Sequence, residues 1–510
     1  MLFFAACKKQ ESVTAIAKAN VTSSALVSQA ILSGDIIGKV TVGYQGWFAA
    51  SGDGSPVNSY NHTNLEMWPD TREYLTTYGL VPFAQGGVMN TPFAGTLGNG
   101  QPAKMFSSYD QSTVNVHFKW MQQSDIDCAA LQRFANEITP GSQIKAQRDG
   151  IIQKVQLAAG TYQRKFYIMY DVSGQGDMST LKTDWANTIK GSLNLLNSPQ
   201  YAVQDGKPVV CIYGLGYLGQ STNAADALDI INWFKTQGCY VIGSIPGGWR
   251  VGANTKSDFL PVFAAFNMIS GWGVGGLVGD DYTSYIAADR DLSEQHGVQY
   301  QNCIYPGTAF YNSNGSKSPK NQLPRNHGEF MWKQFAAMRQ NRMSTVYIAM
   351  FDEMNEATSI FKVAEDASMV PSGEYFLTLD ADGTHLSSDF YLRLVKNGGS
   401  MLKGLIPYQE KHTTPFTLST STSVKFFQDA NYLGTASQEL AIGRYTLLQL
   451  ILKGFKNDAM SSLQVPLGRT ITMYSDDLFK GTSWSIKSDT PDFSKLSPNA
   501  DNVISSVIVQ

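Results

Sequence analysis

Val346-Tyr347-Ile348-Ala349-Met350-Phe351-Asp352-Glu353-Met354-Asn355-Glu356-Ala357-Thr358 is a short apolar run that turns abruptly acidic. A run of this length, rich in β-branched and aromatic residues, reads as a buried strand. Working back along the chain, it is the eighth of its kind. Residues 40–48, 126–134, 166–172, 208–214, 239–246, 268–274 and 302–306 come before it. Amphipathic segments predicted to be helical lie between, at 150–159, 224–236 and 329–341 for example, and 388–402 follows the last run. Such alternation predicts an α/β fold. A doubly wound open sheet shows the same local pattern, but a count of eight favours a (β/α)₈ TIM barrel, closed by the 388–402 helix.

The reactive groups of such a barrel sit where its strands end. The expected mouth therefore contains Trp47, Arg133, Asp171, Tyr213, Trp249, Trp272 and Tyr305, together with Asp352, Glu353 and Glu356. Aromatic faces that stack on C–H groups, beside charges that hold hydroxyls, suit a polyhydroxylated ring; the plain alternative is that strand ends are polar in any barrel. Cleavage of a glycosidic bond commonly uses two carboxyls, one giving a proton to the leaving oxygen and one assisting at the sugar ring. Glu353 and Glu356 supply such a pair from the end of one strand. Spacing alone is weak support, because ExxE more often marks a solvated helix face.

At 510 residues the chain is too long for one ordinary core, so a second domain is expected. Its 39 Lys and Arg balance 42 Asp and Glu without any run of like charge, which argues against a nucleic-acid partner. Cys128, Cys211, Cys239 and Cys303 sit inside apolar runs without a CxxC or His-spaced partner and read as small core residues. Cys7 differs: Leu2-Phe3-Phe4-Ala5-Ala6-Cys7 resembles the end of a bacterial lipoprotein signal, although it lacks a basic leading region. The expectation is an exported protein with a lipid anchor at Cys7, on the outer membrane or cell surface or in the periplasm, tethered through residues 8–36. No other apolar run is long enough to span a membrane.

From about residue 416 the pattern changes to short alternating strands, after a linker at 406–415. Phe427, Tyr432 and Gly434 recur as Tyr474, Phe479 and Gly481, which marks an internal duplication. Each copy ends alike, in Asn457-Asp458-Ala459-Met460-Ser461-Ser462 and Asp501-Asn502-Val503-Ile504-Ser505-Ser506. Carboxylate, amide and hydroxyl oxygens suit a hard cation such as calcium. Asp380-Ala381-Asp382-Gly383 lacks the further acidic positions of an EF-hand and reads as a turn.

Two resemblances bring these readings together. The acidic stretch resembles the Asn-Glu-Trp-His-Glu-Gly segment of glycoside hydrolase family 99, the endo-α-mannosidase and endo-α-mannanase family, and the related family 71 barrels. Tyr44-Gln45-Gly46-Trp47-Phe48, His117-Phe118-Lys119-Trp120, residues 126–133 and Leu323-Pro324-Arg325-Asn326-His327-Gly328-Glu329 are similar to segments of the same group. Asp352, Met354, Asn355 and Ala357 depart from the motif. The resemblance implies an endo-acting, retaining glycoside hydrolase at residues 37–405. In it Glu353 is the base or nucleophile-type carboxylate toward the sugar 2-hydroxyl, Glu356 is the general acid and base, and no cofactor takes part. Residues 416–510 resemble a βγ-crystallin domain. That implies Greek keys and structural Ca²⁺ held by Asn457, Asp458 and Ser461 and by Asp501, Asn502 and Ser505. The expected partner is a polysaccharide or glycan and the expected state a monomer. The competing readings are a non-catalytic glycan-binding lipoprotein and a calcium-dependent surface adhesion protein.

Overall fold

Strands buried on both faces need continuous apolar sequence, and all five residues of β1 (Val40–Tyr44) are buried. In the computed structural model it is followed by β2 (Cys128–Phe134), β3 (Lys165–Asp171), β4 (Lys207–Tyr213), β5 (Tyr240–Pro246), β6 (Met268–Trp272), β7 (Gln299–Ile304) and β8 (Val346–Ile348). Each pairs in parallel with the next. The first and last close the ring through Val40↔Val346, Thr41↔Tyr347 and Val42↔Ile348. Closure excludes the open doubly wound sheet. The structure describes residues 34–510 except 63, 80–94, 277–279, 418–422, 467–468 and 488. Cys7 and the tether up to residue 33 lie outside the described residues.

Helices α1 (Gln111–Gln123), α2 (Gln143–Tyr162), α3 (Ser179–Asp184), α4 (Ala224–Thr236), α5 (Leu260–Phe263), α6 (Asp280–Gln295), α7 (Glu329–Gln340) and α8 (Phe390–Leu402) alternate with the strands. α4 begins where expected because Asn223 caps it, its side chain accepting from Asp226 N. α2 starts earlier than its apolar periodicity, at the Ser142 cap, whose hydroxyl accepts from Lys145 N at 3.2 Å. α3 runs on as a π-helical stretch over Trp185–Ser192. Gly398 lets α8 approach α7, since a Cβ there would lie 2.6 Å from the Phe335 ring. Among the described residues no helix is long and apolar enough to cross a membrane. Cys128, Cys211, Cys239 and Cys303 are buried free thiols.

Residues beyond α8 do not hang free. The Trp332 indole of α7 donates to Gln409 O at 3.0 Å, and Asn397 of α8 donates to Thr414 Oγ1 at 2.8 Å. A second apolar core follows, built on Phe426, Phe455, Leu463, Met473, Phe493 and Val507. Its strands are β9 (Lys425–Asp429), β10 (Leu433–Ala436), β11 (Gly443–Tyr445), β12 (Ser462–Gln464), β13 (Ile471–Asp476), β14 (Lys480–Ile486) and β15 (Ser506–Val509). They form two sheets, β10-β9-β12 and β11-β15-β13-β14. β11 of the first repeat thus lies in the second sheet, while Thr490 of the second repeat bridges to Leu463 in the first. The result is a pair of Greek keys that exchange a strand.

The duplication repeats bond by bond. Ser462 Oγ donates to Asp429 O at 2.6 Å and accepts from Tyr432 N at 3.0 Å. Ser506 Oγ donates to Asp476 O at 2.7 Å and accepts from Phe479 N at 2.9 Å. Gly434 and Gly481 have φ of +74° and +76°, and a Cβ at either would strike the preceding strand, 2.5 Å from Asp429 Oδ2 or 2.2 Å from Ser475 Oγ. That close approach is why glycine recurs after each aromatic pair.

Candidate active site

Beyond β8 the chain is held between its neighbours: Ala349 N donates to Ile304 O of β7 at 2.9 Å and Phe351 N to Gly43 O of β1 at 2.8 Å. It then bends. Thr358 N and Ser359 N both return to Glu353 O, at 3.2 and 3.0 Å, and Ala357 takes a left-handed φ of +52°. Glu353 and Glu356 therefore project from a tight bend, not from a helix.

Closure of the barrel brings the end of β1 beside this bend. Asp352 is fully buried and accepts from Gln45 N at 2.7 Å and Gly46 N at 2.9 Å. Burial pushes its carboxyl up to about 7 against the pull of those amides. Gln45 Nε2 in turn donates to Glu353 Oε2 at 2.8 Å, and Asn355 N donates to Glu353 Oε1 at 2.8 Å. Burial first, then the neighbouring Glu356, holds the Glu353 carboxyl well above the usual carboxylate range. Burial also raises Glu356, whose carboxyl has no hydrogen-bond donor among the described residues. Two carboxyls so placed titrate as a pair that keeps a proton to higher pH than isolated acids do.

Across the mouth the lining is aromatic. Tyr213 and Trp272 are half-buried with ring centroids 5.1 Å apart, and Tyr217 packs 5.9 Å from Tyr213. Asp171 is held by Ser173 N at 2.8 Å, and burial raises its carboxyl. Tyr213 lies within electrostatic reach of both Asp171 and Glu356, which raise its hydroxyl after burial does.

Four of the expected mouth residues are elsewhere or differently used. Arg133 is 1% exposed and faces the helix layer, with Nε 2.7 Å from Asp184 Oδ2 and Nη2 2.7 Å from Asp149 Oδ1. Trp249 is buried against Phe263, and Tyr305 is fully buried against Phe330, so both are core residues. Trp47 is at the mouth, but its faces are covered by His62 at 3.8 Å and Phe134 at 5.4 Å, which leaves no face for a sugar. A cavity of about 500 Å³ lies beside the Arg133 cluster, between the starts of α2 and α3, and not at the carboxylate pair.

Gln45 and His62 are site residues that the strand-end rule missed. His62 stacks on Trp47, its carbonyl accepts from Asn355 Nδ2 at 3.2 Å, and burial with the nearby Arg148 lowers its imidazole to about 3, keeping it neutral. The signal for Gln45 is topological: in a closed barrel the residue after β1 adjoins the residue after β8.

In the Greek-key domain the two acidic loops meet. Ser505 Oγ donates to Asn457 Oδ1 at 2.9 Å, and Asn502 N donates to Met460 O at 3.2 Å. Asp458 and Asn502, at matching positions, are left-handed with φ of +50° and +56°. Asp501 Oδ1 is buried without a hydrogen-bond partner, while Ser461 and Ser505 are buried beneath the loops. An orphaned carboxylate oxygen among oxygen donors fits a hard cation. Among the described residues no group of three His, Cys, Asp or Glu side chains clusters to hold a metal ion, so a cation at these loops would rest on amide, hydroxyl and backbone oxygens beside the carboxylates.

No protein-family model and no curated protein matches the chain. Among solved structures it is similar to the GH99 endo-alpha-mannosidase from Bacteroides thetaiotaomicron, at 15% identity and TM-score 0.51 over 72% of this chain and 98% of that one. The bis-tris-propane complex of that protein gives 12% identity and TM-score 0.53 over the same shares. A βγ-crystallin domain from Clostridium beijerinckii is 40% identical over 17% of this chain and 97% of its own, with TM-score 0.16. One from Flavobacterium johnsoniae is 34% identical over 17% of this chain and 93% of its own, also at TM-score 0.16. The chain is thus a closed (β/α)₈ barrel similar in fold to GH99 endo-alpha-mannosidase, followed by a Greek-key domain similar to βγ-crystallin domains.

Proposed function

We propose that the barrel is a retaining, endo-acting glycoside hydrolase whose substrate is a polysaccharide or glycan, with Glu353 as base and Glu356 as general acid and base. The observation that carries this is the carboxyl pair on one bend at the C-terminal end of β8, withdrawn from water and unequally held. Burial raises both carboxyls, so the pair shares a proton. Glu353 accepts two hydrogen bonds that offset part of its own rise, Glu356 accepts none, and the chemistry requires that the proton sit on Glu356 when the sugar 2-hydroxyl is deprotonated. In the first step Glu353 takes the proton of the sugar 2-hydroxyl as that oxygen closes on the anomeric carbon. Glu356 gives its proton to the leaving oxygen as the glycosidic bond breaks. In the second step Glu356 takes a proton from water, which opens the three-membered ring, and Glu353 returns its proton to the 2-oxygen. Two inversions leave net retention. The aromatic wall of Tyr213 and Trp272 gives the sugar an apolar face to rest on. α-Mannans are the first substrates to try, because the similar barrels carry the name endo-alpha-mannosidase. Product sizing and proton NMR of a fresh digest test the reading: long products with retained configuration support it, and an inverted first product removes Glu353 from its role.

We further propose that the Greek-key domain binds calcium through the Asn457, Asp458 and Ser461 loop and the Asp501, Asn502 and Ser505 loop, and that the ion stabilises this domain without entering the chemistry. Support comes from the orphaned Asp501 oxygen and the contact between the loops. From the signal-like stretch Leu2 to Cys7 we also propose an exported protein, on the outer membrane or cell surface or in the periplasm, with a lipid at Cys7; palmitate labelling that persists in Cys7→Ser would refute that anchor.

A further inference from the structure

Arg325 lies in the turn that leads into α7, 7% exposed, and has no carboxylate within ion-pair distance among the described residues. A guanidinium withdrawn from water without a counter-charge is costly, so its surroundings must supply compensation. Backbone and ring supply it at Nη2 alone, while Nε and Nη1 stay buried without a hydrogen-bond partner among the described residues. Nη2 donates to Ala357 O at 2.8 Å and to Ser359 O at 2.7 Å, and the guanidinium lies 4.6 Å from the Tyr391 ring centroid. Both carbonyls belong to the bend that carries the candidate catalytic pair. Ala357 holds the left-handed conformation that a residue with a Cβ disfavours, and Ser359 N returns to Glu353 O. On the other side of Glu356, its own carbonyl accepts from Thr308 Oγ1 at 2.7 Å and Ala309 N at 3.1 Å.

We propose that Arg325 is the positioning residue of this bend, fixing Glu356 from behind through the carbonyls of Ala357 and Ser359 while the β7 loop fixes it from in front. The catalytic half of this inference rests on the proposed function; the clamp itself does not. An apolar side chain would fill the same space more cheaply, but would let Ala357 relax toward an ordinary φ and swing Glu356 out of register. Misplacement of a reacting group by about 1 Å costs roughly 10²-fold in rate.

Hydrogen exchange followed by mass spectrometry on the full chain tests the clamp without any substrate. In Arg325→Met, peptides covering residues 353–360 are expected to exchange roughly tenfold faster or more, with β1 to β4 unchanged, and Arg325→Lys, which keeps a donor, to recover part of the protection. Unchanged protection of that segment in folded Arg325→Met overturns the clamp. So does loss of protection throughout the barrel, or failure of both variants to fold, since either makes Arg325 a residue that the whole fold needs. On a hydrolysed substrate, kcat of Arg325→Met is expected to fall roughly 10²-fold with KM within about twofold, Arg325→Lys lying between. Glu356→Gln run alongside separates the two ideas. If it keeps hydrolysing, the assignment of the pair fails whatever the exchange shows; if it is inactive while a folded Arg325→Met keeps its kcat, the positioning role fails alone.

Discussion

The chain sets acidic groups in two contrasting ways. At the barrel mouth Asp352 and Glu353 are all but completely buried, whereas in the Greek-key loops Asn457, Asp458 and Asn502 are exposed, and of the two loop carboxylates only Asp501 has a hidden oxygen. Desolvation raises the affinity of a carboxyl for its proton, which serves acid and base chemistry near neutrality. A cation site needs the opposite: oxygens that stay deprotonated and are turned toward an ion arriving from water. Burial thus separates the same side-chain types into a set suited to proton transfer and a set suited to cation binding.

The largest test of this contrast removes the proton chemistry. Glu353→Gln and Glu356→Gln, which keep size and shape, should each cost roughly 10²–10⁴-fold in hydrolysis with an unchanged fold. Near wild-type rates in both would leave the buried pair without a function. Next comes the protonation of Asp352. Its folded pKa of about 7 lies above the unfolded value, so the folded state binds more protons and stability is expected to fall as pH rises from about 4 to about 7, by at most a few kcal/mol. Asp352→Asn should flatten that part of a melting-against-pH curve; an unaltered slope would mean that the carboxyl is already charged.

On the exposed side, calcium at 100-fold over its Kd should add about 2.7 kcal/mol to the Greek-key domain, read as a raised melting transition of the intact chain. Asp458→Ala together with Asp501→Ala should abolish the shift, and chelation should leave hydrolysis unchanged wherever the barrel stays folded. Hydrolysis that stops on chelation would join the two halves of the comparison. The smallest effect is expected at Gln45. Gln45→Leu removes one donor to Glu353, which should lower kcat about tenfold and move the acid limb of the pH profile upward, because the charged form loses a hydrogen bond.

Much of this was legible in the sequence because strands buried on both faces leave uninterrupted apolar runs, and each of the eight runs overlaps a barrel strand. The faces of those strands were not. Arg133 pairs in register with Tyr170, and both turn outward to Asp184, whereas the next residues along, Phe134 and Asp171, are likewise in register. A one-residue difference in phase decides whether a charge meets substrate or a helix, and period-two alternation is absent where both faces are apolar. Tyr305 and Trp249 lie past the ends of their strands and were misplaced for another reason: ring-bearing residues fit core and cleft equally well. The repeats of the second domain were easier, because glycine and serine recur there for backbone reasons that survive in the sequence.

Barrel closure between β1 and β8 also sets a clock. Gln45 and Glu353, which touch in the folded site, are 308 residues apart in the chain. At about 5–20 residues per second of synthesis, the partner of Gln45 leaves the ribosome roughly 15–60 s after it does. Through that interval the Val40–Tyr44 strand has no β8 to pair with and presents an unpaired apolar edge, the kind that recruits other strands. The nascent chain must therefore shelter its first strand until its last has been made, and the site is assembled in the closing act of the barrel's folding.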